Sequence, residues 1–162
     1  MKQLTLIRHA HADQHIGLSD FERPLNAKGE FTARAMGRVL RDHPIPFEQI
    51  FASPAKRALS TAKLICKAIH LPEQKIVVDP LLYTFDDTVL LGFIEALDDR
   101  IDNLAIVGHN PALTLLLGEL TRSPLNNLPP CAIAQMELSI TNWFEIRSGC
   151  GRLLRLELPQ SI

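Results

Sequence analysis

The chain has 162 residues, 46% of them hydrophobic and 22% charged, which is the size and make-up of one soluble globular domain (1–162) and excludes a disordered or low-complexity chain. With 17 basic and 18 acidic side chains the formal charge is −1, so there is no global positive field of the kind that nucleic acid or an anionic membrane surface requires. Three cysteines, Cys66, Cys131 and Cys150, lack CxxC spacing and argue for reduced thiols in a cytoplasmic setting, and the apolar opening at 4–7, cut off by Arg8, is too short for a signal-peptide core or a membrane span.

Residues 3–8 mix apolar and β-branched types in a short run, the mark of a buried opening strand. Over 26–43 the residues Phe31, Ala35, Met36, Val39 and Leu40 recur at helical spacing until Pro44 and Pro46 stop the pattern. A second strand is expected at 49–52. Ser53-Pro54 then reads as a serine cap with proline at the first helical position, opening a helix that runs to about Ile69. Further along come a strand at 75–78, a helix at 89–97 and a strand at 103–107, after which Asn110-Pro111 caps a leucine-rich helix. Residues 121–130 read as a loop. Two alternating segments, 132–140 and 152–158, look like an antiparallel pair at a sheet edge. The pattern predicts an α/β fold: a three-layer sandwich whose central sheet is mainly parallel, with helices on both faces and a C-terminal antiparallel hairpin.

In open sheets of this kind ligands sit beyond the carboxyl ends of the strands, and the polar residues obey that rule. The first strand ends in Arg8-His9, the second delivers Ser53 and then Arg57, and the fourth ends in Gly108-His109-Asn110. Two of these segments open helices, whose free N–H groups and dipoles favour an anion, and arginine offers a planar fork to phosphate oxygens. A histidine beside an arginine at a strand end adds a nitrogen able to attack phosphorus. His9 is the expected nucleophile, kept neutral by the neighbouring guanidinium groups, and His109 is expected to donate to the transferring group; spacing alone does not separate the two roles.

Leu-Ile-Arg8-His9-Ala, Ser53-Pro-Ala-Lys-Arg57-Ala-Leu-Ser-Thr61-Ala and Val-Gly108-His109-Asn-Pro111 resemble, in order and spacing, the successive motifs of the histidine phosphatase superfamily. The stretch from Asp20 to Gly29, Asp-Phe-Glu-Arg-Pro-Leu-Asn-Ala-Lys-Gly, is similar to that of the SixA-like phosphohistidine phosphatases. The resemblance implies that Arg8, Arg57 and His109 line a phosphate pocket, that His9 is the residue phosphorylated, and that Arg23 stands near the entrance. Two departures stand out. Ala10 replaces the usual glycine of the first motif, and Pro80-Leu-Leu-Tyr83-Thr-Phe-Asp86-Asp87 holds no clear counterpart of the glutamate general acid that mutase-like members carry. A phosphomonoester leaves as a poor alkoxide and gains about 10²–10⁴ in rate from a positioned proton donor. Phosphohistidine leaves as imidazole, whose conjugate acid has a pKa of about 6.5, so a weaker donor suffices.

Other readings compete at single residues. His9-Ala-His11-Ala-Asp13 also invites a metal site, but the later motifs supply arginines and helix mouths, which repel a cation, so no metal and no cofactor is expected. His11 is a loop residue that could touch substrate, and Ser53 and Asn110 are helix caps that could border the phosphate. Arg23 could instead pair with Asp20 or Glu22, Asp86 and Asp87 could simply cap a helix, and Tyr83 could be packing. Three functions follow: a phosphatase acting on a phosphorylated protein such as a histidine phosphotransfer domain of a phosphorelay; a phosphatase of small phosphorylated molecules; or a phosphate-binding module without turnover. No nucleic acid or membrane partner is expected.

Overall fold

The computed structural model describes residues 1–124 and 126–159. Six strands form one sheet: β1 (Lys2–Arg8), β2 (Gln49–Ala52), β3 (Ile76–Val78), β4 (Asn103–Gly108), β5 (Ile133–Leu138) and β6 (Gly151–Glu157), in the spatial order β3-β2-β4-β1-β5-β6. The first four in that order run parallel, while β5 pairs antiparallel with both β1 and β6. Four helices cover the sheet: α1 (Ala27–Asp42), α2 (Lys56–Ala68), α3 (Asp87–Glu95) and α4 (Ala112–Thr121).

Alternate side chains of the central strands go to opposite layers, as a sheet buried on both faces demands. Leu4, Leu6, Leu104 and Ile106 join the α3 and α4 side, where Leu90, Ile94, Leu113 and Leu117 pack. Ile7, Ala105 and Val107 join the α1 and α2 side with Met36, Leu40, Ala62 and Ile65. The sandwich with its mainly parallel sheet and closing antiparallel pair is therefore present as expected. The loop expected over 121–130 is seen from Arg122 onward, apart from Leu125, which lies outside the described residues.

Helix α1 corrects the sequence pattern. Phe31, counted there in the apolar stripe, is exposed, and the buried face is Gly29, Thr32, Ala33, Met36, Gly37 and Leu40. The reason is close approach: a Cβ on Gly37 would come within 2.6 Å of the Ala68 Cβ, so α1 and α2 meet through small residues that a hydrophobicity count overlooks. Asn26 caps α1 by accepting from the Gly29 N–H at 2.7 Å. Helix α2 begins later than Ser53-Pro54 suggested. Ala55 is its N-cap, and the Ser53 hydroxyl accepts the Ala55 N–H at 3.2 Å in the turn before it.

Connections from β1 and β4 leave in opposite directions along the sheet. Helix α1 crosses over β4 to reach β2, whereas the chain after β4 crosses over β1 by way of α4 to reach β5. The topological switch point lies between β1 and β4, where open α/β sheets hold their ligands.

Candidate active site

The switch point places His9 one residue past β1 and His109 one residue past β4, on strands held in register from Gln3↔Asn103 to Arg8↔Gly108. The His9 N–H donates to the Gly108 carbonyl at 3.1 Å, and the Ser53 N–H donates to Val107 at 3.0 Å, so three adjacent strand ends are stitched into one floor. The two imidazole rings lie 5.2 Å apart between centroids. Arg57, in the first turn of α2 and 1% exposed, reaches both: its Nε donates to His9 Nε2 and its Nη2 to His109 Nδ1, each at 3.4 Å.

These contacts fix the tautomers, because a guanidinium and a carbonyl each have a single hydrogen-bonding role. His9 Nδ1 must carry the proton it donates to the Ala10 carbonyl at 2.7 Å, which leaves Nε2 as the lone pair that faces Arg57. His109 Nδ1 accepts from Arg57, so its Nε2 donates to the Ser53 hydroxyl at 2.8 Å. Ser53 thus supports His109 rather than capping α2. Burial lowers the His9 pKa to about 4, with Arg57, Arg8 and Arg23 adding to the effect. The imidazole is neutral near pH 7, as the sequence suggested, but desolvation outweighs the arginine charges as the cause. Burial likewise brings His109 to about 3, with His9 and Arg57 contributing.

Arg8 extends its Nη1 to the Leu128 carbonyl at 2.8 Å, while its buried Nε has no protein partner among the described residues. Asn110 Nδ2 donates to the same carbonyl at 3.0 Å, and Asn110 Oδ1 accepts from the Thr114 N–H at 3.1 Å and the Thr114 hydroxyl at 2.9 Å. Both ends of the Asn110 amide are therefore engaged in holding the loop against α4. Thr61, fully buried in α2, accepts the Ala10 N–H at 3.0 Å and donates to the Arg57 carbonyl at 2.7 Å, tying the loop after His9 to the helix that presents Arg57. Among the described residues no side-chain hydrogen bond or ring pairing joins His11 to the two central histidines; its carbonyl accepts the Asn26 N–H at 3.1 Å and packs directly on Gly29.

Two residues that sequence reasoning left in minor roles stand at the centre. Asp20, in a single 3-10 turn (Asp20–Glu22), places Oδ2 3.0 Å from Arg57 Nη2 and 2.6 Å from the Tyr83 hydroxyl, and its carbonyl accepts Arg57 Nη1 at 2.6 Å. Its Oδ1 accepts from Arg23 Nε at 3.2 Å and Nη2 at 3.0 Å. The pairing of Arg23 with Asp20 is thus real, and through Asp20 it is linked to Arg57. Asp20 engages both Nη groups of Arg57. The Tyr83 hydroxyl, with help from Arg57, holds the Asp20 carboxyl down at about 2. Tyr83 and Phe85 pack their ring edges on His109, each with centroids 5.5 Å away, and Phe21 meets Tyr83 at 5.2 Å. Asp86 caps α3 by accepting the Thr88 N–H at 2.8 Å. Among the described residues no three of His, Cys, Asp and Glu are grouped as metal ligands.

The model of the histidine phosphatase superfamily (branch 1) matches residues 4–83. An uncharacterized protein of Picosynechococcus sp. (strain ATCC 27264 / PCC 7002 / PR-6) is 31% identical over 113 residues, which is 68% of each chain. The chain belongs to the histidine phosphatase superfamily. The family match and the SixA-like fold together support a phosphatase: the protein histidine phosphatase SixA complexed with tungstate matches with a TM-score of 0.80 at 25% identity, covering 97% of each chain. Ubiquitin-associated and SH3 domain-containing protein A of Homo sapiens is 41% identical over 70 residues, 41% of this chain, which spans only 11% of that relative's length. The histidine phosphatase match includes Arg8, His9, Arg57 and Tyr83; His109 lies beyond it and enters the site through the pairing of β4 with β1. No helix of this histidine phosphatase is long and apolar enough to cross a membrane among the described residues.

Proposed function

We propose that the chain is a phosphohistidine phosphatase that works without a metal and acts on a phosphorylated protein, with His9 as the nucleophile and Arg8, Arg57 and His109 around the transferring group. The observation that carries this reading is the state of Asp20. Its carboxylate accepts from Arg57, which reaches both histidines, from Tyr83 and from Arg23; these bonds favour the anion, so it has no proton to give a leaving group at neutral pH. An alkoxide needs such a donor, whereas an imidazole departs readily. The half-exposed rings of Phe85, against His109, and Phe21, against Tyr83, offer flat apolar surface to a leaving imidazole.

In this scheme the His9 Nε2 lone pair forms a bond to phosphorus while the P–N bond of the substrate breaks. The electron pair stays on the departing imidazole, which takes a proton from solvent. Arg57 must turn its donors from Asp20 to the equatorial oxygens, and the Arg8 Nε, buried without a protein partner among the described residues, is available to the same charge. If the Ser53 hydroxyl rotates to donate to His109 Nε2, the His109 proton moves to Nδ1 and that nitrogen becomes a donor to the phosphoryl group. Water then attacks phosphorus and gives up a proton to solvent, the bond to His9 breaks with its pair returning to Nε2, and phosphate leaves.

The test is a substrate panel of phosphohistidine peptides, free phosphohistidine and sugar phosphates, run with and without chelator. The expected result is a preference for the P–N compounds that chelator does not alter, with an acid-labile radiolabel trapped on the protein and absent in His9→Ala. A preference for sugar phosphates would reject the substrate class, and a label that persists in His9→Ala would reject the nucleophile.

A further inference from the structure

The outer surface of α1 and α2 carries a charge pattern that phosphoryl transfer does not use. Arg34, Arg38 and Arg41 follow one another at helical spacing on α1, and Lys56, Lys63 and Lys67 do so on α2, all six exposed. Together they line two depressions that share Arg34 and Leu64 and so adjoin as one groove. Glu30 is the carboxylate on its walls among the described residues, and the α2 sequence contains none. Arg34 lies 3.8 Å from Glu30 and Arg41 lies 3.6 Å from Asp42. Among the described residues no carboxylate comes within 4.0 Å of Arg38, Lys56, Lys63 or Lys67. A chain whose net charge is −1 therefore concentrates six cations along one groove.

Position gives the groove its meaning. Its lining includes Pro24 and Leu25, which follow Arg23, the partner of Asp20, and Lys56, which precedes Arg57 in α2. From Lys56 to Lys67 it runs for three turns of helix, roughly 16 Å at 1.5 Å per residue. We infer that this groove docks an acidic segment of the phosphorylated protein and so presents its phosphohistidine to His9; the inference rests on the phosphohistidine reading above. The lining carries no aromatic ring, so it lacks the stacking platform that a single-stranded nucleic acid uses, and its aliphatic floor suits a peptide. Exposed charges of this kind raise encounter rates and complex lifetime and leave the chemical step alone.

The experiment uses two peptides of equal length, each with one histidine phosphorylated by phosphoramidate, one flanked by glutamates and the other by serines, with free phosphohistidine as the small substrate. The protein is compared with Arg38→Glu/Lys63→Glu/Lys67→Glu, and with the milder Arg38→Gln/Lys63→Gln/Lys67→Gln should charge reversal impair folding. The expected result is a kcat/KM on the acidic peptide that is about tenfold above the serine peptide at low salt and falls about tenfold in the variant, while free phosphohistidine is unaffected. The preference is expected to vanish near about 0.5 M salt, where screening is nearly complete. Equal rates for variant and parent on the acidic peptide would overturn the inference. Should the parent hydrolyse none of the three compounds, the phosphohistidine reading fails, and fluorescence anisotropy with the unphosphorylated acidic peptide judges the groove by itself. Binding that weakens about tenfold in the variant supports docking, and unchanged binding overturns it. An RNA oligomer or phosphatidylserine vesicle bound more tightly than the acidic peptide overturns it as well.

Discussion

Replacing Asp20 with asparagine tests whether the protein holds its own anion in the place a phosphate must take. The carboxylate makes charge-assisted bonds to Arg57 at 3.0 Å and to Tyr83 at 2.6 Å, and an incoming oxyanion has to displace at least the first. Asparagine keeps the shape and removes the charge. A charge-assisted bond contributes about 1.5–3 kcal/mol and a neutral one about 0.5–1.5. The Asp20 side chain is 44% exposed, so solvent returns part of that difference, and about 1 kcal/mol is a fair figure, or about fivefold in affinity. Tungstate, measured as a competitive inhibitor of p-nitrophenyl phosphate hydrolysis, is therefore expected to bind Asp20→Asn about fivefold more tightly. Because Tyr83 holds the carboxyl at about 2, Asp20 stays charged across the working range, and the ratio of inhibition constants is expected to be flat from about pH 5 to 8. An unchanged or weaker tungstate affinity would refute the reasoning, as would a ratio that collapses near the pH of an ordinary carboxyl.

Thr61→Val removes the acceptor of the buried Ala10 N–H and the donor to the Arg57 carbonyl, so it is expected to cost about 1–3 kcal/mol in urea unfolding and to lower kcat; undiminished stability would show those bonds to be dispensable. Gly29→Ala drives a Cβ into the His11 carbonyl, and a lower melting temperature with reduced turnover is expected, since the loop from His9 to His11 must shift. With His9 held at about 4, the acid limb of kcat/KM is expected near that value rather than at the 6.5 of a free imidazole. The same depression sets a stability trend. Below pH 6.5 the unfolded chain takes up protons that the folded His9 and His109 refuse, so urea midpoints are expected to fall from about pH 6.5 toward 4 and to be steady above that range.

The residues that were legible in the sequence share a local cause. Arg8, His9 and His109 each end an apolar strand run and Arg57 opens a helix, so short-range pattern and the strand-end rule suffice to bring them together. Asp20 and Tyr83 could not be read that way. Asp20 meets Arg57 across 37 residues and Tyr83 across 63, and its nearest sequence neighbours, Glu22 and Arg23, made it look like part of an ordinary surface pair. Ser53 was visible as a polar residue at a strand end, but capping chemistry and support of a histidine use the same hydroxyl, and the partner lies 56 residues away. The inner face of α1 was misjudged for a different reason: where two helices approach closely, glycine, alanine and threonine are selected for size, and Phe31 belongs to the outside.

The pairing of β1 with β4 has a consequence for how such a catalyst adapts. Six registered residue pairs join these strands, and each strand is anchored in both hydrophobic layers, so the two imidazoles form a foundation that moves as one block. The surrounding walls are built differently. One comes from the turn bearing Asp20 and Phe21, the other from Tyr83 and Phe85, and they touch through a single hydroxyl–carboxylate bond and an edge-on ring contact. Exchanging those walls is therefore expected to change which leaving group is admitted while the foundation goes on transferring phosphorus as before.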